Sequence, residues 1–305
     1  MGGGGGYNIP SKTLSQLEQE KQDRINREKL EADINQHIKD YFQRINNRDV
    51  EGINRHLETI KSALEKDIEG FVDLKFGGSI IKSTYSKGIS DVDMLVQINN
   101  SHLRTAKPIE VLHHFKEQIQ KRLPKTEVEI GKLAITVKFS SGHEIQLLPS
   151  IKTETGYRIP RPGENKWSNV IRPSKFAEKL TNINKSNGNK VVPLIKLMKN
   201  INASLPEQRQ LSGYHLESLA IDAFKNPANT PKTYRGMIEH FCRHAQGAVL
   251  KPITDSTGQS VHVDTYLGNA GSSDRKKASN TFKQLLKKMD KANSLNAWKD
   301  ILGEK

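Results

Sequence analysis

The feature that most constrains this chain is Ser90-Asp91-Val92-Asp93-Met94-Leu95-Val96, which follows a turn at Phe76-Gly77-Gly78-Ser79. The apolar run reads as a β-strand, and two aspartates one residue apart on a strand share a face. Adjacent carboxylates repel, so the pair is costly unless a cation neutralises it. Ligands that are all oxygen suit Mg²⁺, which keeps several waters and bridges to substrate phosphates. The Gly-Gly-Ser turn can bring backbone N–H groups and a hydroxyl close to a triphosphate. A lone Asp-x-Asp usually decorates a solvated loop. The order of turn, carboxylates and apolar strand singles out Asp91 and Asp93 as candidate metal ligands, and Gly78 and Ser79 as a candidate phosphate cradle.

Around this segment the pattern is mixed α/β. Residues from about Leu14 to Leu64 read as helical, with Ile25, Leu30, Ile34, Ile38, Phe42 and Ile45 at helical spacing and a break near Asn46-Asn47-Arg48-Asp49. Val72, Leu74 and Phe76 alternate as a strand. Pro108 to Arg122 reads as an amphipathic helix. Val128 and Ile130, Leu133 to Val137, and Ile145 to Leu148 supply further strands, so this half is expected to hold one sheet. Residues 151–172 are loop-rich. Beyond them helical patterns dominate: Pro193 to Asn202, with Pro193 suited to a first helical position, then Gly213 to Phe224, Lys232 to His244 and Arg275 to Ala292.

Composition narrows the classes. No stretch approaches the ~20 apolar residues of a membrane span, and the glycine run after Met1 lacks the charged and apolar regions of a secretory signal. Cys242 is the only cysteine, so neither an internal disulfide nor a multi-cysteine zinc site can be built, and a reducing cytoplasm fits best. His240, Cys242 and His244 do not share one helix face, which discounts a metal site there. The net charge of +14 suits polyanionic partners, nucleotides or nucleic acid, as well as a lysine-rich solvated surface.

The Gly-Ser turn followed by Asp-x-Asp on a strand resembles the nucleotidyltransferase superfamily. The whole chain more closely resembles the bacterial cyclic-oligonucleotide synthases of anti-phage signalling, relatives of cyclic GMP-AMP synthase and oligoadenylate synthase. The likeness continues through Gly156-Tyr157-Arg158-Ile159-Pro160, Trp167, Pro173, Leu194-Ile195-Lys196-Leu197-Met198-Lys199-Asn200, Ser212-Gly213-Tyr214-His215-Leu216-Glu217 and Asp255-Ser256-Thr257-Gly258. It implies an α+β fold: a polymerase-beta-like mixed-sheet domain with N-terminal helices, packed on a C-terminal helical domain. The expected boundaries are a disordered glycine-rich tail over 1–10, the catalytic domain over 11–165, and a helical domain completing the nucleotide cleft over 166–305.

The resemblance also implies roles. Ser79 would hold the triphosphate, Asp91 and Asp93 would ligate Mg²⁺ (or Mn²⁺), Lys199 would clamp phosphate with Lys196 a second candidate one turn earlier, and Ser212 would add a hydroxyl. A plain reading makes the lysines surface residues and Ser212 a helix N-cap. The implied partners are nucleoside triphosphates, a nucleic acid as activator or acceptor, and a downstream effector protein, with no membrane.

One position departs from the family. A third carboxylate is expected three residues before a proline, and here Glu144-Ile145-Gln146-Leu147-Leu148-Pro149 places Gln146 there. An amide offers an oxygen but no charge and is a poor base. Glu144 shares its face about 6–7 Å along the strand. The implied function is therefore template-independent synthesis of a cyclic di- or oligonucleotide second messenger. A linear nucleotidyltransferase and a nucleotide-binding member that has lost catalysis stand as alternatives.

Overall fold

A computed structural model describes residues 13–46, 50–65, 73–76, 92–99, 101–161, 163–255 and 262–304. Gly78, Ser79 and Asp91 lie outside the described residues, and Asp93 is described as a backbone position only.

Two helices lead the chain and serve different cores. Helix α1 (Leu14–Asn46) is exposed along its first half, where Leu14, Leu17 and Ile25 face solvent. Its second half buries Ile34, Ile38, Tyr41 and Phe42, spaced one or two turns apart on one face. That stripe joins the C-terminal helices: Phe42 meets Tyr234 edge-on at 5.0 Å, and Asn35 Oδ1 accepts the Tyr234 amide at 2.8 Å. Helix α2 (Val50–Glu65) instead buries Ile53, Leu57, Ile60 and Leu64 in the core of the sheet.

The sheet is mixed, with order β1-β2-β5-β4-β3 for β1 (Asp73–Phe76), β2 (Val92–Gln97), β3 (Glu127–Ile130), β4 (Ile135–Lys138) and β5 (Glu144–Lys152). A short β6 (Tyr157–Arg158) pairs with the end of β5. Among the described strands only β2 and β5 run parallel; the other pairs are antiparallel. A parallel pair needs a long crossover, and here it carries α3 (Pro108–Arg122), β3 and β4. Pro108 opens α3, and the Glu110 carboxylate accepts the Lys107 amide at 2.8 Å.

Alternation then sorts the two faces. Met94, Val96, Ile145 and Leu147 pack under α2 and α3 with Val111, Phe115 and Ile119. The intervening Leu95 turns the other way, onto Ile159 and Ile171. Position 93 falls on the Leu95 side of β2 and position 146 on the Leu148 side of β5, away from α2 and α3. β5 runs beyond the expected Ile145–Leu148 and passes through Pro149. β4 ends opposite Leu147, so β5 is an edge on that side at Pro149, where a missing N–H costs nothing.

The C-terminal half comprises α4 (Pro173–Ser186), α5 (Val191–Ala203), α6 (Gly213–Ala223), α7 (Tyr234–Ala248), α8 (Ser273–Lys291) and α9 (Leu295–Ile301). The α4–α5 turn takes positive φ at Gly188 and Asn189 (64° and 60°), the residue types that tolerate it. Pro193 is the third helical residue rather than the first, because Lys190 caps α5. It still lies in the first turn, where no N–H finds an intrahelical carbonyl. Val191, Leu194, Ile195, Leu197, Met198 and Ile201 bury α5 on nearly every side, which makes it the central helix of this half.

Candidate active site

The central position of α5 decides the fate of its lysines. Neither faces water: Lys196 is 5 % exposed and Lys199 8 %. The plain surface reading of both is thereby corrected. A buried ammonium needs a counter-charge, and Lys199 Nζ donates to Glu217 Oε1 of α6 at 2.9 Å, in a pair that is itself buried. Gly213 opens α6 directly beside it. A Cβ there would sit 3.3 Å from Lys199 Cε and 3.5 Å from Nζ, so the bare backbone gives the ammonium its place at the first turn of α6.

Ser212 is the N-cap of α6, and its Oγ accepts the His215 amide at 3.2 Å. Its own amide donates to the Tyr266 hydroxyl at 3.1 Å, and that hydroxyl also meets His215 Nδ1 at 2.9 Å. Behind His215, Asp264 Oδ2 lies 3.7 Å from Nε2 and accepts Arg275 NH1 at 2.7 Å. His215, Asp264 and Arg275 are all fully buried. Burial, reinforced by the nearby Arg275 charge and only partly offset by Asp264, pulls the His215 imidazole down to about 4, so it is neutral at pH 7. For Asp264 burial alone would raise the carboxyl. The bonds from Arg275 and the Ile253 amide, with the Arg275 charge, outweigh it and hold the group below the usual range.

In the sheet half, the parallel register sets Asp93 directly beside Gln146, and Gln146 faces Thr136 on its other flank. Gln146 is half-buried; Glu144, two residues earlier, is exposed at the start of β5 opposite Lys138. The face carrying positions 93 and 146 is the one onto which residues 157–171 fold. Tyr157 and Ile171 exchange backbone hydrogen bonds, and Ile159 and Ile171 cover Leu95. The structure thus gathers the expected residues as two groups, Asp93 with Gln146 on the sheet and Lys199 with Ser212 at the start of α6. Glu217 and the Tyr266–His215–Asp264–Arg275 chain were not anticipated. Glu217 closes the Ser212–Glu217 motif, whereas Arg275 begins an Arg-Lys-Lys run that reads as solvated surface.

The His240, Cys242 and His244 segment holds no metal geometry. His240 bonds the Ala223 carbonyl, His244 bonds Asp222, and burial pushes the Cys242 thiol up to about 12.

Residues 29–184 match the family model of the Second Messenger Oligonucleotide or Dinucleotide Synthetase domain. The chain belongs to this family. Solved structures share the fold across most of the molecule. Escherichia coli MS115-1 CdnC with ATP has a TM-score of 0.65 at 13 % identity, covering 85 % of this chain and 94 % of that one. The CdnC:HORMA-deltaN complex from the same source gives 0.67 at 13 %, covering 88 % and 96 %. Escherichia coli DncV in its 3′-deoxy GTP bound form gives 0.64 at 12 %, covering 96 % and 92 %. No curated protein sequence matches the chain. The match identifies a nucleotidyltransferase with the mixed-sheet and helical halves expected from sequence. Among the described residues, no helix is long and apolar enough to cross a membrane.

Proposed function

We propose that this chain joins nucleoside triphosphates, without a template, into a cyclic di- or oligonucleotide second messenger in the cytoplasm, as part of anti-phage defence. The observation that carries the reading is the parallel β2–β5 register, which sets Asp93 beside Gln146 on the face covered by residues 157–171. Asp91, Asp93 and Gln146 would form an all-oxygen donor set, which fits Mg²⁺, with Mn²⁺ as a substitute. When bound there, the ion supplies positive charge at the attacking hydroxyl and the α-phosphate. The chain itself supplies position and counter-charge. Ser79 and the Gly78 backbone would cradle the triphosphate, Ser212 would add a hydroxyl at the start of α6, and Lys199 with Lys196 would offset phosphate charge. The cleft lies, on this reading, between a catalytic half over 11–165 and a helical half over 166–305, although the buried face of α1 packs with the latter. Effector protein and nucleic-acid partners belong to the same proposal.

The decisive experiment is incubation with all four labelled ribonucleotides and deoxyribonucleotides in Mg²⁺ or Mn²⁺, with products identified by mass spectrometry. Ring-closed product supports the proposal, and linear product identifies chain extension instead. Triphosphate binding without turnover identifies a member that has lost catalysis.

Two variants probe the site. Gln146→Asp restores the charge that relatives carry and is expected to raise product formation about tenfold or more, roughly 1.4 kcal/mol of barrier. A fast native chain that slows on this change would show the amide to be part of a working mechanism. Lys199→Ala is expected to weaken triphosphate binding by roughly 1.5–3 kcal/mol. Because it removes the ammonium that faces the buried Glu217 carboxylate, the measurement by calorimetry includes Lys199→Ala with Glu217→Gln. Unchanged affinity in both would assign the Lys199–Glu217 pair to folding alone.

A further inference from the structure

The loop between α7 and α8 straps the first turn of α6 from two sides. Tyr214 in that turn donates its hydroxyl to Asp255 at 2.7 Å, and Tyr266 reaches back from the loop onto Ser212 and His215. The Tyr266 hydroxyl carries one proton. It accepts the Ser212 amide, and where it also donates to His215 Nδ1 the imidazole proton is on Nε2. That nitrogen is buried, has no hydrogen-bond partner among the described residues and faces the Asp264 carboxylate from 3.7 Å. Asp264 is fixed in turn by Arg275. Each step orients the next, and the last link is Ser212, held by its amide to Tyr266 and by its hydroxyl to the His215 amide.

We propose that Tyr266 is a positioning residue for triphosphate binding: its hydroxyl pre-sets the Ser212 cap of α6 so that the serine hydroxyl is in place before a phosphate arrives. This rests on the reading of Ser212 as a phosphate contact. Pre-setting the cap removes an ordering cost from binding. Loss of the phenol oxygen therefore acts on affinity, and where turnover is measurable it acts on KM with kcat preserved. Half of the Tyr266 surface stays exposed, so removing one oxygen opens no large cavity.

The test is a double-mutant cycle on the full chain, reading affinity for a non-hydrolysable nucleoside triphosphate by calorimetry. Tyr266→Phe is expected to weaken binding about three- to tenfold, within the span of one hydrogen bond. Ser212→Ala is expected to weaken it by a similar factor. The double variant should bind no more weakly than Ser212→Ala alone, because Tyr266 acts through that serine. Circular dichroism checks that α6 persists in each. A purely structural tyrosine would give additive losses, which overturns the proposal, as does unchanged binding in Tyr266→Phe while Ser212→Ala loses affinity. Unchanged binding in Ser212→Ala overturns the reading of Ser212 itself, and the proposal with it.

Discussion

Arg275→Met is expected to destabilise the chain by about 3–5 kcal/mol. The guanidinium is fully buried and its hydrogen bonds are all directed. Nε donates to the Gly268 carbonyl at 3.0 Å, and NH1 to the carbonyls of Val249 and Lys251 at 3.0 and 3.1 Å and to Asp264 Oδ2 at 2.7 Å. NH2 donates to the Asp264 carbonyl at 3.2 Å. Methionine matches the length of the stem but supplies no donor. Four backbone carbonyls of the α7–α8 loop lose the Arg275 donor, and Asp264 is left as an uncompensated carboxylate beside a neutral imidazole. Against a total stability of roughly 5–15 kcal/mol, such a loss is a large fraction. Urea unfolding reads it as a lower midpoint at unchanged slope. Arg275→Met with Asp264→Asn should recover part of the loss, because removing both charges is far less costly than stranding one. A single variant within about 1 kcal/mol of the native chain would show that solvent reaches Asp264 and that the loop is not held as described.

The polar chain that ends at Arg275 marks where sequence reading stopped. Strands and amphipathic helices announce themselves through periodicity: Ile34, Ile38 and Phe42 on α1, or Val111, Phe115 and Ile119 on α3, are spaced as one face and are buried as one face. What periodicity does not carry is the partner. The stripe on α1 could as well have covered the sheet, and only the packing against Tyr234 assigns it to the helical core. Lys199 is legible as a basic residue on an apolar helix. Its burial follows from α5 being enclosed on nearly all sides, and its pairing with Glu217 depends on the neighbouring helix. Arg275 lies in a run of basic residues whose following members, Lys276 and Lys277, are exposed. Nothing local distinguishes the one that turns inward, since its acceptors, backbone carbonyls and the Asp264 carboxylate, lie in a loop 7 to 26 residues away. The candidate site stands differently. Asp-x-Asp is a local pattern in the sequence, and of its two aspartates Asp93 lies among the described residues, in β2, where the parallel pairing with β5 brings position 146 beside it.

Asp93→Asn is expected to cut product formation by about a thousandfold or more, roughly 4 kcal/mol of barrier, while triphosphate binding changes far less. Asparagine is nearly isosteric and keeps the backbone donor and acceptor, so β2 can pair with β1 and β5 as before. What goes is charge. With Gln146 already neutral, the proposed oxygen donor set would fall from two formal negative charges, Asp91 and Asp93, to one, too few to hold a divalent cation against a departing pyrophosphate. Charge stabilisation of that kind is worth several kcal/mol at the transition state. On the proposed reading phosphate binding also draws on Ser79, Ser212 and Lys199, and is expected to survive. Mass spectrometry of products and calorimetry with triphosphate separate the two quantities. The register adds a sharper test. Asp93 and Gln146 are cross-strand neighbours, so Asp93→Asn combined with Gln146→Asp restores the count of charges one strand away. If both positions serve one cation, the double variant recovers at least about tenfold of the lost activity. If it recovers nothing while Gln146→Asp alone activates the chain, the two positions hold different groups, and the shared site inferred from the β2–β5 pairing is wrong.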